Sequence, residues 1–122
     1  MTPEDRLLEL KLTLPTVAKP VAAYLPFRRS GNLLFIAGQI PMRDGSLVAK
    51  GAVPSQVSPE QAVECARQCV LNGLANIKAA VGSLSRVKQF VRLGVFVCSD
   101  VGYYEQPKIA NGASELLVQI FG

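Results

Sequence analysis

The 122-residue chain contains no histidine and no tryptophan, and it contains only three cysteines. Without histidine, neither a Ser-His-Asp nor a Cys-His nucleophile system can be assembled, even from several copies of the chain. Any acid–base step must therefore use a carboxylate, tyrosine, lysine, cysteine or bound water. Cys65 and Cys69 lie four residues apart on a predicted helix, but no second thiol pair accompanies them. We expect reduced, packed thiols, no metal and no disulfide framework.

Long apolar runs are also missing. The longest, at 33–36 and 93–98, are far shorter than the roughly 20 residues that cross a bilayer. The N-terminus carries early acids and no apolar core of a secretory signal, so we expect a cytoplasmic protein without a membrane partner. The net charge is +4, and the 13 basic residues are scattered along the chain. Such a charge distribution suits a small anionic ligand better than it suits a nucleic acid.

Turn and capping signals divide the first half of the chain into short elements. Thr2, before a proline, predicts the cap of a short N-terminal helix. Residues 14–20, with two prolines, predict an extended linker. Residues 21–29 and 33–37 predict two strands that form a hairpin, and residues 46–50 predict a short third strand.

The second half of the chain contains the clearest elements. Ser58 and Gln61 form the sequence pattern of a capping box, which predicts a helix from Ser58 to Val81. Its apolar residues recur at helical spacing and predict one apolar stripe, formed by Val63, Val70, Leu74, Ile77 and Val81. Residues 87–98 alternate between a mainly apolar and a mixed set of side chains, which predicts a long strand. We expect the apolar face to lie toward the helices; it contains Val87, Val91, Leu93, Val95 and Val97. Residues 106–121 predict a second long helix. Its inward residues should be Ile109, Ala113, Leu116, Leu117 and Ile120.

This order of elements predicts a single α+β domain over residues 1–122. We expect a mixed β-sheet with two helices packed on one face, and a right-handed parallel crossover through the long helix into the strand at 87–98. The second long helix is followed by no further strand, which is unusual for this type of layered fold.

Three segments together resemble the RidA family, the reactive intermediate deaminases that are also called YjgF-type. Residues 31–41, GNLLFIAGQIP, resemble the family's G-N-(apolar)-F-x-S-G-Q-(I/L)-P hairpin. Residues 71–81 are similar to the family's L-x-N-(I/L)-x-x-(I/V)-L helix, and residues 87–100 to its V-(V/T)-K-x-x-V-F-(V/L)-x-D strand. The resemblance extends from about Leu14 to Gly122, nearly the whole chain.

The resemblance implies a chorismate-mutase-like fold that assembles into homotrimers, with a ligand site in each cleft between subunits. It also implies hydrolysis of reactive enamine or imine intermediates, such as 2-aminoacrylate, to a keto acid and ammonia. In such a site a guanidinium binds the substrate carboxylate, while a carboxylate and bound water complete the reaction. No metal or organic cofactor is needed for this chemistry.

The family's site positions map onto several residues of this chain. Tyr24 stands at the position of a cleft tyrosine, and Gly38 at the position of a glycine that lets a ligand approach the backbone. Ala37 replaces the serine before that glycine. Ser114, or Asn111 one turn earlier, corresponds to a cleft asparagine. Each of these residues also fits an ordinary structural role, as a strand, strand-end or exposed helix residue.

Other residues are candidates on position alone. Arg28 follows Tyr24 by four residues, so strand alternation places both on one face and makes Arg28 a candidate anion contact. The favoured alternative is an ordinary surface arginine at the end of a strand. Asp100 and Glu105, near the turn before the last helix, could face the cleft, although capping and solvation also explain them. Cys98, at the end of the predicted strand, is a third candidate in that region.

The family's carboxylate-binding arginine and catalytic glutamate belong to two strands beyond the last helix, past Gly122. The catalytic residues are therefore unknown, and we expect the sequence to be a piece of a longer polypeptide. The alternative is a protein that cannot use the family's route.

Three functions remain open at this stage. The first is an enamine/imine deaminase. The second is a non-catalytic trimer that binds small carboxylates and regulates another process. The third is an RNA-acting protein, an endoribonuclease or translation inhibitor. This third function is disfavoured because the sequence offers no aromatic stacking platform and no basic stripe.

Overall fold

The computed structural model describes residues 1–17 and 25–122, which form helices and short strands around one apolar core. The predicted α+β class is confirmed. The helices are α1 (Pro3–Glu9), α2 (Pro59–Val81) and α3 (Gln106–Phe121), with a short 3₁₀ turn at Leu84–Arg86. The strands are β1 (Phe27–Ser30), β2 (Leu33–Ile36), β3 (Met42–Arg43) and β4 (Ser46–Leu47).

Both predicted helix caps are present. At α1, the Thr2 hydroxyl accepts a hydrogen bond from the Asp5 N–H at 3.1 Å, and the Asp5 carboxylate accepts one from the Thr2 N–H at 3.0 Å. At α2, Ser58 and Gln61 make the same reciprocal pair, each bond 3.1 Å long. These bonds satisfy backbone donors that the first turn of a helix leaves unpaired.

The core lies between α2 and α3. All five residues that were predicted to face inward on α3 are buried. On α2 the middle of the predicted apolar stripe is buried, at Val70, Leu74 and Ile77, whereas its ends at Val63 and Val81 are half-buried. The 3.6-residue apolar period therefore predicted both packing faces correctly.

The strands form two separate antiparallel hairpins. In the first hairpin, β1 pairs with β2 in a register that sets Phe27 opposite Ile36 and Ser30 opposite Leu33. The half-buried Leu34 and Ile36 pack against the core, so Leu33 and Phe35 face outward. In the second hairpin, β3 and β4 are joined by a turn at Asp44 and Gly45.

The predicted strand at 87–98 is wrong for the described residues, where this stretch pairs with no neighbouring strand. A single parallel bridge joins Val53 to Ser99, next to the end of the stretch. The alternation of side chains survives only near that end: Val95 and Val97 contact the core, while Phe96 is 93% exposed. Val91, which was predicted to face inward, is 72% exposed.

The reason is that alternation describes which face a side chain takes, whereas a strand also needs a neighbour for its backbone groups. In the part of the chain that the structure describes, no strand pairs along residues 87–98, although the Val53 N–H donates to the Cys98 carbonyl at the end of this stretch, at 2.9 Å. The expected mixed sheet is for the same reason two antiparallel hairpins and one parallel bridge.

A carboxylate near the N-terminus joins α1 to the 3₁₀ turn. The Glu4 side chain accepts hydrogen bonds from the Leu84 N–H at 2.7 Å and from the Ser83 hydroxyl at 3.0 Å. Burial raises the pKa of Glu4, but hydrogen bonds from its own N–H, Leu84 and Ser83, with the charge of Lys78, outweigh burial. The pKa of Glu4 therefore lies below its ordinary value of 4.5.

We expect Glu4→Gln to lower the free energy of unfolding by about 1–2 kcal/mol at pH 7, because charge-assisted hydrogen bonds are lost. A depressed folded-state pKa stabilises the protein above the unfolded-state pKa, and this contribution disappears as pH falls through the folded-state pKa. The difference between the wild type and Glu4→Gln should therefore shrink as pH falls below 4.5. Urea denaturation at several pH values measures the difference. Glu9→Gln, at an exposed position of α1, is the control and should change stability by less than about 0.5 kcal/mol. A difference that persists unchanged at low pH would contradict this account.

Candidate functional site

Gly38 lies in an open position directly after β2. No heavy atom comes within 4 Å of a Cβ placed on Gly38, apart from the adjoining residues. Just before it, the Ala37 N–H extends the hairpin by donating to the Pro26 carbonyl at 3.0 Å. Within residues 1–17 and 25–122, the N–H of Gly38 donates to no acceptor. Gly38 is also exposed among the described residues.

Arg28 lies on the outward face of the same hairpin, opposite Phe35 of β2. Both side chains are exposed, and Arg28 makes no side-chain hydrogen bond or ion pair within the described residues. Phe35 precedes Gly38 by three residues, which corresponds to about 10 Å along an extended chain. A concavity of about 360 Å³ is lined by residues 25–29, including Arg28. The hairpin thus carries Arg28 on its outward face, and the backbone donor of Gly38 follows about three residues beyond the position opposite Arg28.

Ser114 and Asn111 lie elsewhere, on the exposed side of α3. Asn111 donates to the Glu115 carboxylate at 2.9 Å, one helical turn away. In the described part of the chain, α3 packs on α1 and α2 and does not contact the β1–β2 hairpin. One copy of the chain therefore does not bring Ser114 together with Gly38 or Arg28. Tyr24 lies outside the described residues.

The acidic candidates near α3 have local partners. The Asp100 carboxylate accepts hydrogen bonds from the N–H and hydroxyl of Ser55, at 2.8 and 2.9 Å. Glu105 forms an ion pair with Lys108 at 2.8 Å. Asp100 therefore tethers the segment before α2, and Glu105 makes a local surface ion pair.

The cysteines lie in different environments. Burial, together with a smaller contribution from the neighbouring Cys65, raises the pKa of the Cys69 thiol to about 11. The pKa of Cys65 is also raised, first by burial. Protonated thiols are poor nucleophiles, so neither residue is suited to covalent catalysis at neutral pH. Cys98 is exposed. Nowhere in the described ranges do three metal-ligating side chains meet.

A hydrogen-bonded network of polar side chains on α2 and β3 holds the segment that follows Gly38. The sequence patterns did not predict this network. Asn72 donates from its amide nitrogen to the carbonyls of Ile40 and Met42, both at 3.1 Å. Gln68 donates to the Asn72 amide oxygen at 2.9 Å, and Arg43 donates to Gln68 at 2.8 Å. The sequence did contain one sign of this contact, because Gln68 and Asn72 are four residues apart and therefore lie on one face of the helix.

The network reaches solvent at its Arg43 end. Arg43 forms an ion pair with Glu64 at 2.6 Å, in which both side chains are about half exposed. A concavity of about 600 Å³ lies here, between residues 12–16, the β3–β4 turn and α2. It is lined by none of the residues that the sequence pointed to, so the sequence-based candidates do not coincide with this concavity.

No helix among the described residues has both the length and the apolar character that are required to cross a membrane.

Comparisons with known proteins show to which family the chain is similar. The model of the family described as "YjgF/chorismate_mutase-like, putative endoribonuclease" matches residues 4–122. Protein TCP17 of Trypanosoma cruzi is 36% identical over 116 residues, which is 95% of this chain and 72% of that protein.

Two solved structures are also similar. One is a "putative endoribonuclease" from Shewanella oneidensis, with 36% identity and a TM-score of 0.92, covering 100% of this chain and 81% of that one. The other is a protein of unknown function from Agrobacterium tumefaciens, with 39% identity and a TM-score of 0.89, covering 99% of this chain and 73% of that one. The chain therefore belongs to the YjgF/chorismate mutase-like family.

Proposed function

We propose that this protein hydrolyses reactive enamine or imine derivatives of amino acids, such as 2-aminoacrylate, to the keto acid and ammonia. The observation that carries the proposal is the exposed Gly38, at the family's glycine position, on the same hairpin as the exposed Arg28. Backbone N–H groups and guanidinium groups are suitable donors for a substrate carboxylate. A cytosolic location is part of the proposal.

The reaction requires few functional groups from the protein. The enamine first takes up a proton at carbon and releases one from nitrogen, which converts it to the imine. Water adds to the electrophilic imine carbon, and the resulting carbinolamine loses ammonia to leave the ketone. The protein must bind the substrate carboxylate, position the attacking water molecule and assist proton transfer. We assign Gly38 and Arg28 to carboxylate binding and leave the proton-transferring residue unassigned.

We further propose that the site is completed between copies of the chain in a homotrimer. Within one copy, Ser114 on α3 and Gly38 after β2 belong to elements that do not contact each other in the described residues. A cleft between adjacent copies would bring such surfaces together. Exposed apolar side chains on the hairpin and the 87–98 stretch, Phe35 and Phe96 among them, support assembly.

The test uses 2-aminoacrylate generated in place from serine by a pyridoxal-phosphate-dependent dehydratase. The purified protein should raise the rates of ammonia and pyruvate formation above spontaneous hydrolysis. Saturable pyruvate binding without any acceleration would instead establish the second candidate, a non-catalytic carboxylate-binding trimer. The replacement of the family serine by Ala37 favours that alternative, because it removes a hydroxyl beside the site.

Gly38 offers a graded test of the proposed site. Gly38 does not have a left-handed backbone conformation, and open space surrounds it, so Gly38→Ala and Gly38→Val should fold normally. We expect Gly38→Val to reduce kcat/KM at least tenfold, and Gly38→Ala to have a smaller effect, because a larger side chain keeps the ligand from the N–H. Thermal unfolding within about 2 °C of wild type is the control for both variants. Unchanged turnover in Gly38→Val would remove Gly38 from the site.

RNA cleavage is a further candidate because the Shewanella relative is described as a "putative endoribonuclease". The exposed Phe96, with Arg92 on the same stretch, favours nucleic-acid contact more than the sequence alone suggested. Binding of a single-stranded RNA that falls steeply with added salt, together with cleavage, would support this function over deamination.

A further inference from the structure

The segment that leaves the proposed site is held from its helix side. After Gly38, the chain passes along α2, and three of its backbone carbonyls accept hydrogen bonds from two side chains of that helix. Asn72 donates to Ile40 and Met42, both at 3.1 Å, and the Cys69 thiol donates to Gln39 at 3.5 Å. These contacts link residues about 30 positions apart in sequence, so they hold the segment independently of the strand pairing.

The direction of each hydrogen bond in this network is determined by Arg43. A guanidinium can only donate, so the Gln68 oxygen must face Arg43 and the Gln68 nitrogen must face Asn72. The Asn72 oxygen is thereby occupied, and its nitrogen is left to face the two carbonyls. Gln68 is only 5% exposed, so water competes little for these bonds.

We propose that Asn72 is a positioning residue, which orders residues 39–42 and thereby keeps the Gly38 N–H in place for the ligand carboxylate. The inference rests on the proposed function, in which Gly38 binds that carboxylate. Asn72 itself contacts only the protein. Its influence on the ligand passes through the backbone, from the carbonyls of Ile40 and Met42 back to the neighbouring Gly38.

Asn72→Asp separates this role from helix stability. The aspartate keeps an oxygen that accepts from Gln68, but it replaces the donating nitrogen by a charged oxygen that faces two carbonyl oxygens. The loop should therefore lose its anchor while α2 stays folded. Asn72→Ala, which removes the anchor without repulsion, is the second variant. Gln119→Glu, on the exposed side of α3, introduces the same charge and is the control.

Two measurements decide the matter. The first is amide hydrogen exchange at Met42 and Val48, whose N–H groups donate to the Ile40 and Pro41 carbonyls, at 2.8 and 2.9 Å. We expect exchange there to accelerate at least tenfold in both Asn72 variants and to stay at the wild-type rate in Gln119→Glu. The second is the affinity for pyruvate, the reaction product, and the KM for 2-aminoacrylate. In the Asn72 variants we expect the pyruvate affinity to fall about tenfold and the KM to rise about tenfold. The kcat should change little, because the lost contact binds the substrate and the transition state equally.

The outcomes distinguish the two proposals. Faster exchange with unchanged pyruvate affinity and KM would overturn the positioning role, because the loop would then be mobile without consequence for the ligand. Unchanged exchange in both Asn72 variants would also overturn it. A third outcome is that the wild-type protein neither binds pyruvate nor turns over 2-aminoacrylate, while exchange is still faster in the Asn72 variants. This outcome would overturn the proposed function, and with it the link from Asn72 to the ligand. It would confirm that Asn72 anchors the segment.

Discussion

Replacing Leu74 by alanine is expected to lower the free energy of unfolding by about 2–5 kcal/mol. Leu74 lies in the middle of α2 and is only 1% exposed, so the smaller side chain would leave a cavity between α2 and its neighbours. A domain of this size has a total stability of about 5–15 kcal/mol, so a large share would be lost. The site should suffer as well, because α2 also carries Asn72.

The matched control for Leu74→Ala is the same substitution at Leu8 of α1, whose side chain is 77% exposed. Leu8→Ala should change stability by less than about 0.5 kcal/mol. Chemical denaturation with urea measures both variants, and a shift of the midpoint without a change of slope would indicate loss of stability alone. Equal effects of the two substitutions would contradict the buried position of Leu74.

Two helical glycines are expected to respond to alanine in opposite directions. At Gly112 of α3, an added Cβ would lie 2.7 Å from Cγ1 of Val63 on α2. Valine is branched and stiff, so the helices must move apart, and we expect Gly112→Ala to destabilise the protein by about 1–3 kcal/mol. At Gly73 of α2, the nearest atom is the Gln39 Cγ at 3.9 Å, an ordinary contact. Gly73→Ala should therefore stabilise by about 0.5–1 kcal/mol through helix propensity.

Thermal unfolding of the two variants tests the sign directly, since one melting temperature should fall and the other should rise. The double variant Val63→Ala/Gly112→Ala provides a further check. It should be more stable than the sum of the two single changes predicts, because the alanine at 63 removes the obstructing methyl group. Destabilisation of Gly73→Ala equal to that of Gly112→Ala would mean that helix packing does not distinguish these positions.

The helices are the elements that the sequence predicted best. The Ser58–Gln61 capping box and the inward residues of α3 were predicted correctly, because a cap joins residues three apart and a helical face repeats every three or four residues. Such patterns lie within a few positions of the chain. The hairpin was predictable for the same reason, since its turn lies between its strands.

The stretch at 87–98 was the main error of the fold prediction. Its alternation is real near Val95 and Val97, yet no strand forms among the described residues, because pairing requires a neighbour that alternation does not specify. The burial of Val91 was wrong for the same reason. A pattern of period two predicts the faces of a chain segment, and only the surrounding structure decides whether they are covered.

For the candidate site, the sequence by itself singled out Gly38 and Arg28 as two separate candidates on the predicted hairpin, and it identified the family through motifs along nearly the whole chain. Only the tertiary structure decided that Ser114 lies away from that hairpin and that Asn72 holds the segment after Gly38. The physical reason is sequence distance. Side chains such as those of Arg43 and Gln68 meet across 25 positions because α2 packs beside the hairpins, and no local pattern records which residues such packing brings together.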